Sequence, residues 1–476
     1  VTDEQGRYRI DLLASGTWSI SARTEGQPGD PIGEPRTVTL HLHQTAVIDF
    51  TAGSVATEPV SVSAEAPLVD AARTNSELRV EGEQVEELPL AGRVVTDLAL
   101  LDSAVSSPPA GNFYGERGSV FVVNGQSGRS NSFLVDGLNN NDQGSGTSLN
   151  ASFSQLVIRE FVVLTRQYAP EFGRASGGIL NIVTERGGND KTGAAFVQGV
   201  SGNLNPSGDF VASLPDEDGL SDTSGRLAAG FRLGGPIVRD RASWFGAYEH
   251  QQTDDVVPYT GVTRDSVTGG WMVAPSRDDN LFLRTDVNLG PRNFLMARMS
   301  LDDRRTTGLN VGGDVTPEAG FTLDELDLQL AASLTSAIGP DLDNETRLLL
   351  GRSSFEQTAN SDRPGVERPS GTFGGSNLNF QNRDEDRIQI LDNLTWRRGP
   401  HTMKFGLDLM RSRTRLDIGF NPNGNFLYDT DMPFEPGDCG DLLVQDVGDP
   451  NAPIPYPCPG VGGVDGGAGQ PAHALR

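Results

Sequence analysis

The 476-residue chain carries 64 acidic and 38 basic side chains, and its net charge of −26 opposes binding to the phosphate backbone of nucleic acids. Its 58 glycines and 29 prolines predict many turns and short strands rather than long helices. No run approaches the roughly 20 apolar residues of a membrane-spanning helix, but a membrane-spanning strand needs only about 10 residues, alternately apolar and polar. The totals therefore predict a mainly β protein and leave a β-barrel open.

Residues 1–56 contain four segments in which apolar and polar residues alternate, which predicts part of a small β-sandwich. The run Asp3-Glu4-Gln5-Gly6-Arg7-Tyr8, with Gly16-Thr17-Trp18-Ser19-Ile20 after it, resembles the carboxypeptidase regulatory-like domain, which has a carbohydrate-binding-like fold. The resemblance implies a module without activity. His41 and His43 share one strand face, but no third ligand is near, so we favour ordinary strand histidines over a metal site.

Residues 57–66 form a short extended run with proline at both sides. An isolated strand of this kind can be captured by a partner sheet through main-chain hydrogen bonds, with alternate side chains giving specificity. The run resembles a TonB box, the segment by which TonB-dependent receptors are engaged by the energy-transducing protein TonB. A plain interdomain linker is the alternative. The candidate TonB-box residues are Glu58, Pro59, Val60, Ser61, Val62, Ser63 and Ala64.

Two runs within residues 67–191 resemble the plug domain of TonB-dependent receptors, in particular the Oar-like branch with a regulatory-like domain in front. The first, residues 118–137, is predicted to form a strand, a tight Asn-Gly turn and a second strand. The second covers residues 158–164 and 168–184. The residues that carry the motif are Asn124, Gly125, Asn131, Asp136, Gly137, Glu160, Glu171, Gly173, Arg174, Gly177 and Gly178.

Charged residues of this segment have two interpretations. Glu160, Arg166, Glu171 and Arg174 are placed to make polar contacts with a surrounding barrel wall, but solvated surface charges account for them equally well. The run Asn139-Asn140-Asn141-Asp142 lacks the alternating acidic ligands and terminal glutamate of a calcium-binding hand, so it is interpreted as a polar turn.

Residues 192–476 predict the first part of an outer-membrane barrel, because apolar and polar side chains alternate along successive strands. The predicted strands lie near 193–203, 225–235, 241–252, 280–289, 293–302, 323–336, 344–356, 386–397 and 401–415. Short Gly-Pro turns alternate with long polar stretches near 204–224, 253–279, 303–322 and 357–385. This asymmetry is typical of outer-membrane barrels, and residues 234–249 also resemble the receptor family.

About nine strands are countable, whereas a barrel of this family has about 22, so we expect further residues beyond both ends of the chain. Cys439 and Cys458 both fall in the last, proline-rich stretch. A disulfide between them is plausible in an oxidising compartment, and two free cysteines are the alternative.

The predicted organisation is a partial regulatory-like sandwich (1–56), a linker with the TonB box (57–66), an α+β plug (67–191) and the first barrel strands (192–476). The resemblance implies an outer-membrane receptor in a Gram-negative-type bacterium that binds a small-molecule, glycan or peptide ligand. TonB, with its inner-membrane energising complex, would drive import. A surface adhesion or secretion-associated barrel is the alternative. No catalytic residue, metal site or cofactor is expected, and an enzyme is not favoured.

Overall fold

The described part of the chain is mainly β-structure, as the alternation predicts. The computed structural model describes residues 8, 10, 16–22, 36–40, 48, 50, 76–88, 90–107, 121–144, 151–166, 171–201, 225–263, 266–376, 380–399, 401–419, 423–428, 443–446 and 449–455. No helix in these ranges is both long and apolar enough to span a bilayer.

Two of the four strands predicted for the front segment lie among the described residues. They are β1 (Gly16–Ile20) and β2 (Arg36–Leu40), which pair antiparallel with Trp18 opposite Val38. Val38 is buried, as the inward position of a half-buried strand should be. The other two predicted strands fall largely outside the described residues.

The next segment folds into a unit that we call the inner unit, residues 76–184. Its strands and helix are β3 (Ser76–Glu81), α1 (Gly82–Glu87), β4 (Val105–Ser106), β5 (Val122–Val123), β6 (Ser132–Val135), β7 (Leu138–Asn139), β8 (Ile158–Arg166) and β9 (Ile179–Thr184). Short 3-10 helices cover Ala91–Arg93, Val95–Leu101, Gly128–Ser130 and Gln155–Val157. Five of these strands form one sheet in the order β3-β8-β9-β6-β7, in which β6 and β9 run parallel.

The remaining chain forms a large sheet that we call the wall. Its strands and the short strands between them are β10 (Thr192–Ser201), β11 (Gly225–Val238), β12 (Ala242–Thr263), β13 (Ser266–Gly290), β14 (Asn293–Leu309), β15 (Phe321–Ala337), β16 (Leu342–Ala359), β17 (Gly365–Arg368), β18 (Gly371–Gly374), β19 (Phe380–Arg398) and β20 (His401–Gly419). Within the described ranges, nine of them pair antiparallel in the order β10-β11-β12-β13-β14-β15-β16-β19-β20. Each predicted barrel strand thus corresponds to one strand of the wall.

Smaller sheets lie in the predicted long stretch at 357–385 and after the last wall strand. β17 and β18 pair with β21 (Asn425–Leu427), and β22 (Leu443–Asp446) pairs with β23 (Asp449–Pro455). The predicted polar loop at 253–279 is wrong in part, because β12 and β13 continue as a paired hairpin up to Thr263 and Ser266. Beyond a lipid-facing band both sides of a hairpin meet water, so alternation disappears although main-chain pairing continues.

The two faces of the wall differ in the way that a lipid-facing barrel requires. Along β15, Leu326 and Leu330 are 45% and 43% exposed, whereas Asp327 and Gln329 between them are each 1% exposed. The inner unit covers the polar face, whereas the leucines of the apolar face are exposed. A water-soluble sheet would do the opposite, so the outer face fits contact with lipid.

One hydrophobic core joins the inner unit to the wall. It contains Phe121, Phe133 and Phe161 of the inner unit together with Phe245 and Phe282 of the wall. Because these side chains are buried together, the inner unit is packed against β12 and β13 and not merely enclosed by them.

Candidate functional site: the contact between the inner unit and the wall

A buried carboxylate of the inner unit, Asp136, lies between two arginines of the wall. The Arg298 Nε atom is 3.0 Å from one Asp136 carboxylate oxygen, and the Arg284 Nη1 atom is 3.9 Å from the other. The Arg298 side chain is fully buried, and the other two are 9% exposed. Arg284 also pairs with Asp286 at 2.7 Å. Charges removed from water are costly unless they are paired, so this cluster fixes the inner unit against β13 and β14.

A tight hairpin between β6 and β7 presents Asp136 to the wall. Asp136 and Gly137 are its two central residues, and Val135 pairs with Leu138 across it. Their φ angles are 51° and 74°, the left-handed values of a type I′ turn, which aspartate tolerates and glycine adopts without strain. The Thr184 N–H donates to the Asp136 carboxylate at 2.9 Å, which ties the turn to the end of β9.

The polar run that follows β7 docks on β15 and β19. Its contacts are Asn139 N–H to Gln389 Oε1 at 2.9 Å, Gln329 Nε2 to Asn140 Oδ1 at 2.6 Å, Arg387 Nη1 to the Asn141 carbonyl at 2.9 Å, and an ion pair of Asp142 with Arg383. The polar turn predicted at residues 139–142 is therefore a contact surface. Each described side chain of the run is buried, and its amide groups satisfy both their own turn and the wall.

A third contact joins the helical segment of the inner unit to β12. Glu249 accepts two hydrogen bonds from Arg93, at 2.7 and 3.1 Å, and a further one from the Ser154 hydroxyl. Gln251, two residues along the same face of β12, donates to the Gly92 carbonyl at 3.3 Å. Glu249 is 5% exposed, so this bidentate pair is largely desolvated and therefore strong and directional.

The link between β9 and β10 is closely packed. Gly187 lies so near the wall that an added Cβ atom would be 2.1 Å from the Trp244 carbonyl oxygen, a distance that no other residue tolerates. The guanidinium of Arg186 faces the Trp18 ring of β1 at 5.7 Å. Burial, with the nearby charge of Arg159, lowers the pKa of Arg186 to about 10, so the group stays charged at neutral pH.

Comparisons with known proteins agree with this arrangement. Residues 265–445 match the family model described as an outer membrane beta barrel domain. The TonB-dependent transporter Oar of Myxococcus xanthus is 29% identical over 274 residues, which are 53% of this chain and 24% of that protein. The chain is therefore similar to a TonB-dependent transporter and carries part of an outer-membrane barrel domain. It is an outer-membrane protein.

Solved structures of outer-membrane transporters and receptors share the fold of this chain. The outer-membrane transporter YddB from Escherichia coli superposes with a TM-score of 0.57 at 13% identity, over 76% of this chain and 51% of that one. The siderophore receptor PirA from Acinetobacter baumannii gives 0.51 at 16% identity, over 71% and 48%. The ferric citrate transporter FecA gives 0.53 at 11% identity, over 73% and 48%. The chain thus spans about half the length of these structures and 24% of Oar.

Three of the receptor motif residues hold the inner unit together. Asn131 donates to the Phe121 carbonyl at 2.8 Å and accepts from the Gly178 N–H at 3.0 Å. A Cβ atom at Gly177 would lie 2.3 Å from the Asn131 amide oxygen, so this position needs glycine. These contacts place the strand β9 directly beside β6.

The Asn-Gly turn predicted in the first motif run has the expected geometry. Asn124 and Gly125 have φ angles of 52° and 73°, and Val123 bridges to Gln126 across them. The strands on either side are not partners, however, because β5 pairs with β4 whereas β6 pairs with β7 and β9. The Asn124 amide instead donates to the Thr165 carbonyl at 2.5 Å, and thereby connects the turn to β8.

The charged residues predicted to meet either the wall or solvent are divided among several environments. Glu160 is buried and pairs with Arg79 of β3, whereas Arg166 is exposed at the end of β8. Glu171 accepts from Lys404 of β20 at 2.9 and 3.0 Å. Arg174 donates to the Met410 sulfur at 3.2 Å. Gly173, between Glu171 and Arg174, has open space around its α-carbon. The contacts to β20 are more exposed than the buried cluster around Asp136.

Sequence reasoning missed the wall side of this interface. Glu249, Arg298 and Arg387 are buried charged residues of the wall that were not predicted from the sequence as site residues. A charged residue at an inward-facing polar position of an alternating strand was the signal that could have identified them. The candidate TonB-box residues 58–64 and both cysteines, Cys439 and Cys458, lie outside the described residues.

Hydrogen bonds and ion pairs dominate this contact, apart from the phenylalanines of the shared core. Such contacts are strong while water is excluded, but water can replace each of them once it enters. An interface built in this way can hold the inner unit firmly at rest.

Proposed function

We propose that this receptor imports an extracellular ligand across the outer membrane with energy supplied by TonB. The observation that carries the proposal is the polar, buried contact between the inner unit and the wall around Asp136 and residues 139–142. The inner unit would act as the plug of the barrel. The relationship to the transporter Oar and the shared fold of PirA and FecA support this role.

The domain limits follow from the same proposal. Residues 1–56 are a regulatory-like domain on the periplasmic side, 57–66 contain the TonB box, 67–191 are the plug, and the barrel begins at 192. The turn after β9 and the first wall strand at Thr192 support the last of these limits. The short turns of the wall would then lie on the periplasmic side and its long connections outside the cell.

The position of β3 suggests how force reaches the plug. The candidate TonB box at 57–66 lies about ten residues before Ser76, the first residue of β3. β3 is an edge strand, paired only with β8 in the five-stranded sheet. TonB pulling on the box would therefore load β3 first and separate it from β8. The Arg79–Glu160 ion pair is the side-chain contact that resists this separation.

The ligand belongs to the class that the family takes up, and small molecules, glycans and peptides all remain candidates. The part of this chain that would meet such a ligand is the long-connection end of the wall. There β17, β18 and β21 form a small sheet, to which Gly312–Thr316 connects through the bridge between Val315 and Thr372. We propose that these loops provide the first binding surface.

Substitution of the TonB box tests the proposal. Proline at both Val60 and Val62 removes two main-chain donors, each worth about 1 kcal/mol in a strand added to a partner sheet. Binding of the purified receptor to the periplasmic part of TonB should weaken about tenfold or more. The matched control is alanine at Ser61 and Ser63, which keeps every main-chain donor and should bind within about threefold of the parent.

If the double proline variant binds TonB as tightly as the parent, residues 57–66 are a linker and energised import is not the function of this site. An adhesion or secretion-associated barrel would then account better for the chain.

A further inference from the structure

The connections at the long-connection end of the wall are joined to one another through their main chains. β12 and β13 stay paired out to Thr263 and Ser266, far beyond the alternating part of the two strands. At Tyr259 this hairpin forms a parallel bridge with Gly313, and the Gly313 N–H donates to the Pro258 carbonyl at 3.0 Å. The connection between β14 and β15 is therefore attached to the hairpin.

The same connection is attached on its other side to the small sheet of β17, β18 and β21. Val315 forms a parallel bridge with Thr372 of β18. The Thr372 carbonyl accepts from the Thr316 N–H at 3.0 Å, and the Thr372 N–H donates to the Asp314 carbonyl at 2.7 Å. We call residues 312–316 the strap, because they join the hairpin to a sheet that lies some 50 residues later in the chain.

Glycines at the two joints of the strap allow these close approaches. A Cβ atom at Gly312 would lie 2.5 Å from the Val257 side chain of the hairpin, and one at Gly371 would lie 2.3 Å from the Asp314 carbonyl oxygen. Their φ angles of 122° and 151° fall in a region that residues with a side chain rarely adopt. Each joint therefore depends on a glycine, and a single substitution can break it.

Further contacts tie the neighbouring chain to this assembly. Asn360, directly after β16, donates from its N–H to the Gly320 carbonyl and from its side-chain amide to the Pro317 carbonyl, both at 3.0 Å. The Arg368 guanidinium of β17 lies 4.5 Å from the centre of the Tyr428 ring, directly after β21. Loops are usually the most mobile parts of a fold, but loops that share main-chain hydrogen bonds have to open together.

We propose that the tip of the β12–β13 hairpin, the strap and the small sheet form one cooperative unit, the platform, which opens and closes as a whole. The role of the platform rests on the proposed function, in which these connections provide the first binding surface for the ligand. That surface is then preformed, and binding to it costs less conformational freedom than binding to loops that must order around a ligand. The cooperative behaviour itself does not depend on import.

Hydrogen exchange of the purified full-length protein in detergent tests the proposal. Gly371→Ala breaks the joint between the strap and β18, and the strained backbone should raise the open population about tenfold or more. If the platform is one unit, the amides of β17, of Gly313 and of the hairpin around Tyr259 should all exchange faster by the same factor. Gly312→Ala breaks the other joint and should accelerate the same set of amides.

The wall provides the folding control. Amides of Leu328 and Leu330, in the middle of β15, should exchange within about twofold of the parent in both variants. Gly339→Ala, in a short turn where a Cβ atom meets open space, is the matched control and should change neither region. Acceleration confined to residues 371–374 in Gly371→Ala, or none at the hairpin tip, would overturn the proposal. Acceleration that spreads to β15 would overturn it too, because the platform would not then open as a unit of its own. These outcomes do not involve TonB, so they are distinct from a failure of the proposed function.

Discussion

Replacing Asp136 by asparagine should loosen the inner unit from the wall by about 3 kcal/mol. Breaking one partner of a buried ion pair costs about 3–5 kcal/mol, because the remaining charge stays out of water. Here Arg298 is fully buried, whereas Arg284 keeps Asp286 at 2.7 Å, so the lower end of that range applies. Asparagine tolerates the left-handed φ of 51° and its oxygen still accepts from the Thr184 N–H. Its amide nitrogen then faces the Arg298 Nε, so the variant loses both the charge and the acceptor for this arginine.

Hydrogen exchange measures this loosening directly. A loss of about 3 kcal/mol raises the population of the locally opened state roughly 150-fold. The amides of β6 and β9 that surround the turn, including that of Thr184, should exchange faster by about that factor. Asp384→Asn is the matched control, since Asp384 is exposed on the outer face of β19. Exchange in the Asp136 variant within threefold of the parent would refute the role of this ion cluster.

Two further substitutions test other parts of the contact. Glu249→Gln removes the charge that holds Arg93 at 2.7 and 3.1 Å, at a cost of about 2–3 kcal/mol. Trypsin should then cleave after Arg93 at least ten times faster. Unchanged cleavage would contradict the contact. Gly137→Ala places a Cβ atom 2.4 Å from Arg347 Nη1 at a φ of 74°. Because the guanidinium can move, the cost is mainly the backbone strain of about 1–2 kcal/mol, and the thermal midpoint should fall by a few degrees; an unchanged midpoint would contradict the type I′ turn.

The wall was predictable from sequence because its chemistry is periodic. Leu326, Leu328 and Leu330 alternate with Asp327 and Gln329, and that pattern alone gives the strand, its two faces and its lipid-facing side. Short and long connections then give the antiparallel order. The one marked error, at 253–279, comes from a hairpin that leaves the lipid band and loses its alternation while its main-chain pairing continues.

The contact between the inner unit and the wall was much less predictable. Asn139–Asp142 has the composition of a surface turn, and nothing local indicates that Gln389 and Arg387, some 250 positions later, will bury it. Polar residues at such an interface are chosen for partners that are distant in sequence. Periodicity identifies which strand face Arg387 occupies, but not what it meets.

The strands of the inner sheet do not show the alternation of apolar and polar residues that made the wall predictable. β9 is buried on both faces, so its residues Ile179–Thr184 show no alternation, and β6 pairs with it in parallel across a long stretch of chain. The Asn124-Gly125 turn has the dihedral angles of a hairpin turn, yet its strands pair elsewhere. Local turn chemistry fixes the backbone there, whereas tertiary packing selects the partners.

The docking of the inner unit inside the wall is the central claim, and a cysteine pair tests it most directly. In the protein in its native outer membrane, with Cys439 and Cys458 replaced by serine, cysteines are placed at Asn139 and Gln389. The Asn139 N–H donates to the Gln389 Oε1 at 2.9 Å. The control pair is Asn139 with Ile390, the next residue of β19, which points outward and is 46% exposed.

After oxidation with copper phenanthroline, mass spectrometry of the digested receptor identifies any disulfide. If the inner unit docks on the wall, a cross-linked peptide is expected for positions 139 and 389 and none for 139 and 390. If the first pair stays reduced while the thiols react with a small maleimide, or if both pairs link equally, the inner unit does not dock on the wall as described.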